Sequence, residues 1–297
     1  MSLVINTNVA SLNAQRHLQS SRGELEQAME RLSSGKRINS AMEDAAGLTI
    51  ANSLSTKINS LETAARNAND AISLIHLAEG ALDAVSSMLV RMRELATQAL
   101  NGTYSNDDRS NLNAEFGQLK SEITRISNNT YFNGISVIGQ VRTLGDTVGD
   151  DAELSFQIGY SSSDSIKMAT SDISSETLGY DADSDLDFTD SGDLVLSSQS
   201  LTSLTNAGNA LTAVDSALTQ VDTYRVNLGS VANRLGHTIE NLYSRIEQQT
   251  AARSRIQDAD YAVESANLAR AQVLQQAGTA MLAQANASTM NVLSLLK

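Results

Sequence analysis

The sequence predicts a mainly α protein in which long coiled-coil and bundle helices come from both chain ends, with a small β-hairpin excursion in the middle. Three observations carry this. Apolar residues recur at steps of three and four in long runs on both sides of the centre, which is one stripe of a helix. The chain has no proline, so nothing in it removes a helical hydrogen bond by ring closure. The period falls to two only around 154–168, where alternation signals paired strands.

The elements follow in order. From Ile5 the pattern is helical: Ile5, Val9 and Leu12 begin it, and Leu18, Leu25 and Leu32 continue it at sevens with Met29 beside them. Ser33, Ser34 and Gly35 stop it. Residues 36–46 read as a linker. A second pattern runs over 61–99, a rod of ~58 Å at helical rise, and ends at Asn101 and Gly102. Ser105 with Asp108 has the spacing of a capping box. The third stripe behind it is Leu112, Phe116, Leu119, Ile123 and Ile126. Asn133-Gly134 is a turn signal.

Leu154, Phe156 and Ile158 then alternate with polar residues, 161–165 is a loop, and Ile166 and Met168 resume the alternation. Residues 181–193 form an acidic loop. The longest heptad run spans Leu211 to Ile246, and its stripe can share one bundle core with the helices of the first half. Residues 253–260 read as a second charged linker. The expected division is an inner coiled-coil domain of 1–40 with 258–297, and a bundle domain of 41–257. The bundle domain carries the hairpin at about 141–180 and an acidic outer loop at about 181–200.

The 26 positions 271–296 carry no charge. Polar residues interrupt them too often for a bilayer span. Leu274, Ala277, Met281, Ala285, Ser288, Val292 and Leu295 make one small apolar stripe. The opposite face bears amides and hydroxyls where a surface helix normally bears charge. Such a helix suits contact with protein on most sides. The other long uncharged run is 1–15. The two ends are therefore expected to pair, and the pair to be buried by neighbouring copies. The residues expected at that contact are Ile5, Val9, Leu12, Leu274, Met281, Val292 and Leu295. Every Tyr and Phe lies between Tyr104 and Tyr261, so the ends pack with small aliphatic residues.

Charge and composition exclude several functions. Residues 141–193 hold 13 acidic and two basic residues, whereas the rest of the chain is nearly balanced within a net −13. No basic patch suits nucleic acid. The absence of cysteine rules out disulfides and thiol catalysis. No basic start followed by an apolar core marks a cleavable leader. His17, His76 and His237 lie in separate helices with no metal-ligand spacing. Asp181, Asp183, Asp185 and Asp187 mimic a calcium loop, but Leu186 stands where its Gly is needed and no Glu closes it. Gly134 to Gly139 has phosphate-loop spacing without the lysine. No cofactor, metal site or enzyme is expected.

Many short motifs in fixed order resemble a bacterial flagellin. They are Val4-Ile5-Asn6-Thr7-Asn8, Arg31-Leu32-Ser33-Ser34-Gly35, Arg37-Ile38-Asn39-Ser40-Ala41, Asp44-Ala45-Ala46-Gly47 and Arg66-Asn67-Ala68-Asn69-Asp70. Glu79-Gly80-Ala81-Leu82, Arg93-Glu94-Leu95-Ala96 and Phe132-Asn133-Gly134 follow. The other end has Ser254-Arg255-Ile256, Asp258-Ala259-Asp260-Tyr261, Gln275-Gln276-Ala277-Gly278-Thr279 and Asn291-Val292-Leu293-Ser294-Leu295-Leu296. The likeness covers about 1–140 and 210–297. Thr289 stands where the family usually has a proline, so the last helix is expected to continue unbroken.

The resemblance implies a subunit of the extracellular flagellar filament, built for swimming motility. It implies export unfolded through a type III apparatus with an uncleaved N-terminal signal, and termini that fold on assembly. Implied partners are copies of itself, an export chaperone, the filament cap and hook-junction proteins, with no nucleic acid and no membrane. In some flagellins a vertebrate innate immune receptor binds residues whose counterparts here are Arg91, Leu95 and Glu115. The alternatives are a hook–filament junction protein and a secreted translocator-like coiled-coil protein.

Overall fold

The computed structural model describes residues 8–139, 153–180 and 194–294. Its elements are α1 (Val9–Ser34), α2 (Ala45–Ala99), α3 (Asn106–Asn129), β1 (Tyr131–Phe132), β2 (Ile135–Ser136), β3 (Glu153–Gln157), β4 (Ser165–Ala169), β5 (Gly179–Tyr180), β6 (Leu194–Val195), α4 (Leu204–Gln257) and α5 (Tyr261–Ser294). The described strands form three two-stranded antiparallel sheets, β1–β2, β3–β4 and β5–β6. The fold is the mainly α one expected. It divides into two compact units, Met1–Asn59 with Arg245–Lys297, and Ser60–Ser244.

In the second unit the heptad stripe of α4 is the organising feature. Val214, Val221, Leu228 and Leu235, each seven apart, are buried against Leu82, Val85, Leu89 and Met92 of α2 and Phe116 and Ile123 of α3 in one core. Their removal from water is the main stabilising term. By length and composition α2 is also apolar enough to cross a membrane, but its apolar stripe is the one this core buries.

Local chemistry fixes the ends of these helices. The capping box at α3 forms as read, with the Asp108 amide donating to Ser105 Oγ (3.2 Å) and the Ser105 amide donating to Asp108 Oδ2 (3.0 Å). The Ser105 hydroxyl bond holds the Asp108 carboxyl below its ordinary pKa. Buried Arg109 donates from Nε to the Ala99 carbonyl (3.0 Å) and from Nη2 to the Asn101 carbonyl (3.3 Å). It thereby caps the negative end of α2.

Asn133 (φ 50°) and Gly134 (φ 81°) make the turn between β1 and β2, as the Asn-Gly pair requires. In the β3–β4 hairpin Leu154 faces Met168 and Phe156 faces Ile166, so one face joins the core. Tyr224 is buried and donates to the Val137 carbonyl (3.3 Å); burial pushes its phenol up to about 12. Lys120 lies over the Phe116 ring at 5.6 Å and donates to the carbonyls of Ser197 and Gln199, both at 2.8 Å. Desolvation lowers its pKa.

Three boundaries differ from the sequence reading. Helix α2 begins at Ala45 rather than near 61, because the Asp44 carboxylate accepts the Gly47 amide (2.8 Å) and caps it. A Cβ at Gly47 would press on the Asp44 carboxylate that makes this cap and on Ile38 Cδ1 at 2.7 Å, so a larger residue there would have to displace the cap. Helix α4 continues through Gln257, so the second linker shrinks to 258–260. Asp260 then accepts the amides of Ala262 (2.8 Å) and Val263 (3.3 Å) and starts α5 at Tyr261. Residues 194–198 are not loop but strand β6 and a short 3-10 turn. The acidic stretch 181–193 and the expected strand region at 141–152 lie outside the described residues.

Candidate functional site

The first unit is organised by α1 and α5, which pack antiparallel. At one end the Asn8 side chain caps α1 by accepting the Ser11 amide (3.0 Å) and donates to the Ala285 carbonyl (2.9 Å). Ser11 Oγ bonds Asn286 Oδ1 at 3.0 Å. At the other end the Tyr261 hydroxyl donates to the Leu32 carbonyl (3.0 Å).

Between these ends Ser11, Ala14, Leu18, Ser21, Leu25, Ala28 and Leu32 form the covered stripe of α1, at alternating steps of three and four. Glu264, Leu268, Ala271, Gln275, Gly278, Leu282 and Ala285 form that of α5. This is an antiparallel coiled-coil seam in which leucines alternate with small residues. Its tightest point is Gly278, where a Cβ would sit 3.2 Å from Leu18 Cδ1. Helix α5 runs on through position 289 to Ser294.

Polar groups lock the base of the pair. Gly35 ends α1 in the left-handed region (φ 70°). Its carbonyl accepts the Ala259 amide (3.0 Å), and the Arg37 amide and guanidinium both donate to carbonyls just before the break, those of Gln257 and Ile256, at 2.6 Å. Arg31 pairs with Glu43 and with Glu264, both at 3.1 Å. Glu43 also accepts the Asn39 amide (2.8 Å) and Gln27 (2.6 Å). The Asn39 amide first, then Gln27 and Arg31, hold the Glu43 carboxyl down at about 2. The motif residues at 31–47 and 258–261 are thus the parts of one lock.

Of the residues expected at a contact between copies, Val9 (61% exposed), Leu12 (52%), Leu274 (44%) and Met281 (63%) lie on the outside of the pair. Leu274, Ala277 and Met281 are not on the face that meets α1. That face is the neighbouring stripe of α5, identified above. Leu274 and Met281 instead line an open groove of about 490 Å³ between the helices, with Ala10, Ala14, His17 and Gly278 among its other walls. Ile5 and Leu295 lie outside the described residues, and Val292 is placed only as part of α5.

In the second unit Arg91 donates from Nε to Glu115 (2.8 Å) and from Nη1 to Glu94 (3.0 Å) on an exposed face. These partners raise the pKa of Arg91, Glu115 first. Leu95, expected beside them as a surface contact, is fully buried. It supports the face from beneath.

A bacterial flagellin N-terminal helical region matches residues 5–143, and a bacterial flagellin C-terminal helical region matches residues 211–296. The chain belongs to the bacterial flagellin family. A flagellin of Halalkalibacterium halodurans is 41% identical over 295 residues, covering 99% of this chain and 100% of that one. A flagellin of Bacillus subtilis is 40% identical over 306 residues and covers 99% of each chain. A solved flagellar hook-associated protein of Vibrio parahaemolyticus, 14% identical, covers 73% of this chain and 100% of its own with a TM-score of 0.57; this likeness concerns the fold alone. As a flagellin the chain is a structural subunit of the extracellular flagellar filament, polymerises with copies of itself, and is not an enzyme.

Proposed function

We propose that this flagellin polymerises through the outer face and groove of the α1–α5 pair, and that copies of that pair form the inner wall of the filament. The observation that carries this is the set of large apolar side chains left in water on the uncharged segments 1–15 and 271–296 of the pair: Val9, Leu12, Val273, Leu274 and Met281. Large apolar side chains left exposed in such number on one helix pair mark an interaction site. Head-to-tail contacts that do not close generate a helical filament.

The same feature supports folding on assembly. The seam alternates half-buried leucines with Ser, Ala and Gly and leaves the larger Leu274 and Met281 in water, so the pair gains much of its stability only when neighbours cover it. Ile5, Val292 and Leu295 are assigned to the same contact. The inner domain is taken as 1–40 with 258–297, and 41–257 as the bundle domain.

The reading includes export through a type III apparatus with a chaperone, and contacts with cap and hook-junction proteins. It also includes an N-terminal stretch kept in the working protein, in keeping with Asn8 being built into both helices of the pair. Recognition by an innate immune receptor is assigned to Arg91 and Glu115, with Leu95 packing beneath them. The filament reading is preferred to a hook-junction protein because the whole length of this chain matches flagellins at 40% identity and above.

The test is removal of residues 1–32 and 262–297. The shortened chain retains a helical circular dichroism spectrum and a cooperative melt, since the second unit keeps its own core, but forms no filaments. Filaments of normal length would overturn the reading.

A further inference from the structure

We infer that Met281 is an oxidation-sensitive site at which conversion to the sulfoxide by peroxide blocks incorporation of the subunit. The inference rests on the assembly reading above. Oxidation turns the apolar methionine thioether into a polar sulfoxide at little change in size. This chain has eight, and the structure sorts six of them sharply. Met92 and Met168 are buried in the core of the second unit, and Met88 is half-buried beside it. Met29, Met42 and Met281 are exposed. Of these three only Met281 lines the groove between α1 and α5, across from Ala10 and Ala14 and beside Leu274 and Gly278.

In the reaction the Met281 sulfur attacks one peroxide oxygen. The O–O bond breaks, an S–O bond forms, the sulfur is oxidised by two electrons, and the peroxide is reduced to water. The product carries a strong dipole where a thioether stood. Its oxygen must either remain hydrated or turn toward the polar α1 wall at Asn13 and Ser20, which also line the groove. Hydration keeps a neighbour from drying the site, at the cost of burying an unsatisfied polar group. Turning inward fills the space the neighbour would occupy. A free subunit is open to this chemistry, whereas in a filament the covering neighbour shields the same sulfur.

The test gives free subunits and finished filaments the same dose of hydrogen peroxide and maps sulfoxides by peptide mass spectrometry. Met42 oxidises in both, Met92 and Met168 in neither, and Met281 in free subunits only. Partly oxidised subunits are then polymerised and pelleted. Sulfoxide at Met281 is enriched at least tenfold in the unpolymerised fraction, while sulfoxide at Met42 divides evenly. The critical concentration of Met281→Leu after peroxide stays within twofold of the same variant's untreated value, whatever that value is relative to wild type. Equal reactivity of Met281 in filament and free subunit would overturn both this inference and the assembly reading. Shielding in the filament with even partition of the Met281 sulfoxide, or equal loss of assembly in peroxide-treated Met281→Leu, would overturn this inference alone.

Discussion

Arg31 shows how one residue can hold the base of a helix pair. It reaches two carboxylates, one from the loop after its own helix and one 233 positions away on α5. Both ion pairs are largely shielded, with the carboxylate side chains 17% and 9% exposed, so they are less weakened by salt than surface pairs. Glu43 carries the pH dependence. Its folded pKa of about 2 lies below the ordinary 4.5. The stability it contributes is therefore complete above about pH 4.5 and is lost as pH falls through about 2. Glu43→Gln abolishes that contribution at neutral pH and removes the acid dependence in this window. Amide exchange at residues 36–44 of assembled protein, followed from pH 5 to pH 2, checks it. Loss of protection with the same midpoint in the variant would contradict the assignment.

At the scale of elements, the sequence was most legible where a local rule decides the outcome. The Ser105–Asp108 box, the Asn133-Gly134 turn, the alternating hairpin and the heptads of α4 each depend on neighbours a few positions away, and each forms. The start of α2 was hidden because 45–60 is rich in Ser, Thr and Asn and buries few large side chains beyond Ile58. That the two ends pair was legible in their shared lack of charge, but which stripe of α5 meets α1 was not. Between the leucines of the seam stand Ser21, Ala28, Ala271 and Gly278, which give almost no hydropathy signal, whereas the larger Leu274 and Met281 beside them do. The Arg31 lock was invisible because it is wholly tertiary. The seam can be tested at Gly278, where even a Cβ comes within 3.2 Å of Leu18. Gly278→Val overpacks that level and destabilises the pair by about 1–3 kcal/mol, read as a raised critical concentration. Assembly unchanged from wild type would show that the seam is loose there.

For the whole molecule, charge and apolarity are sorted by position in the chain. The uncharged ends supply the pair, and 141–193 hold most of the net negative charge. Burying that many carboxylates between subunits would cost far more than their packing could return, and the expectation to be tested is that the shaft forms without the acidic stretch. Replacement of 181–193 by a short Gly/Ser linker leaves filaments intact in electron micrographs; their complete loss would show that the segment is an interface.

Polymerisation through the α1–α5 pair requires that neighbouring copies bury the outer face of α5. Leu274→Asp and Met281→Asp each place a carboxylate in the groove. In the free subunit it is solvated and harmless. In the filament it is dry and unpaired, a cost typically of several kcal/mol unless it protonates, repeated in every subunit. The measurement is the critical concentration for seeded polymerisation, by sedimentation, beside the helicity of the free subunit. The expected result is unchanged helicity and no pelletable filament for either variant. Polymerisation of both at the wild-type critical concentration would contradict the account.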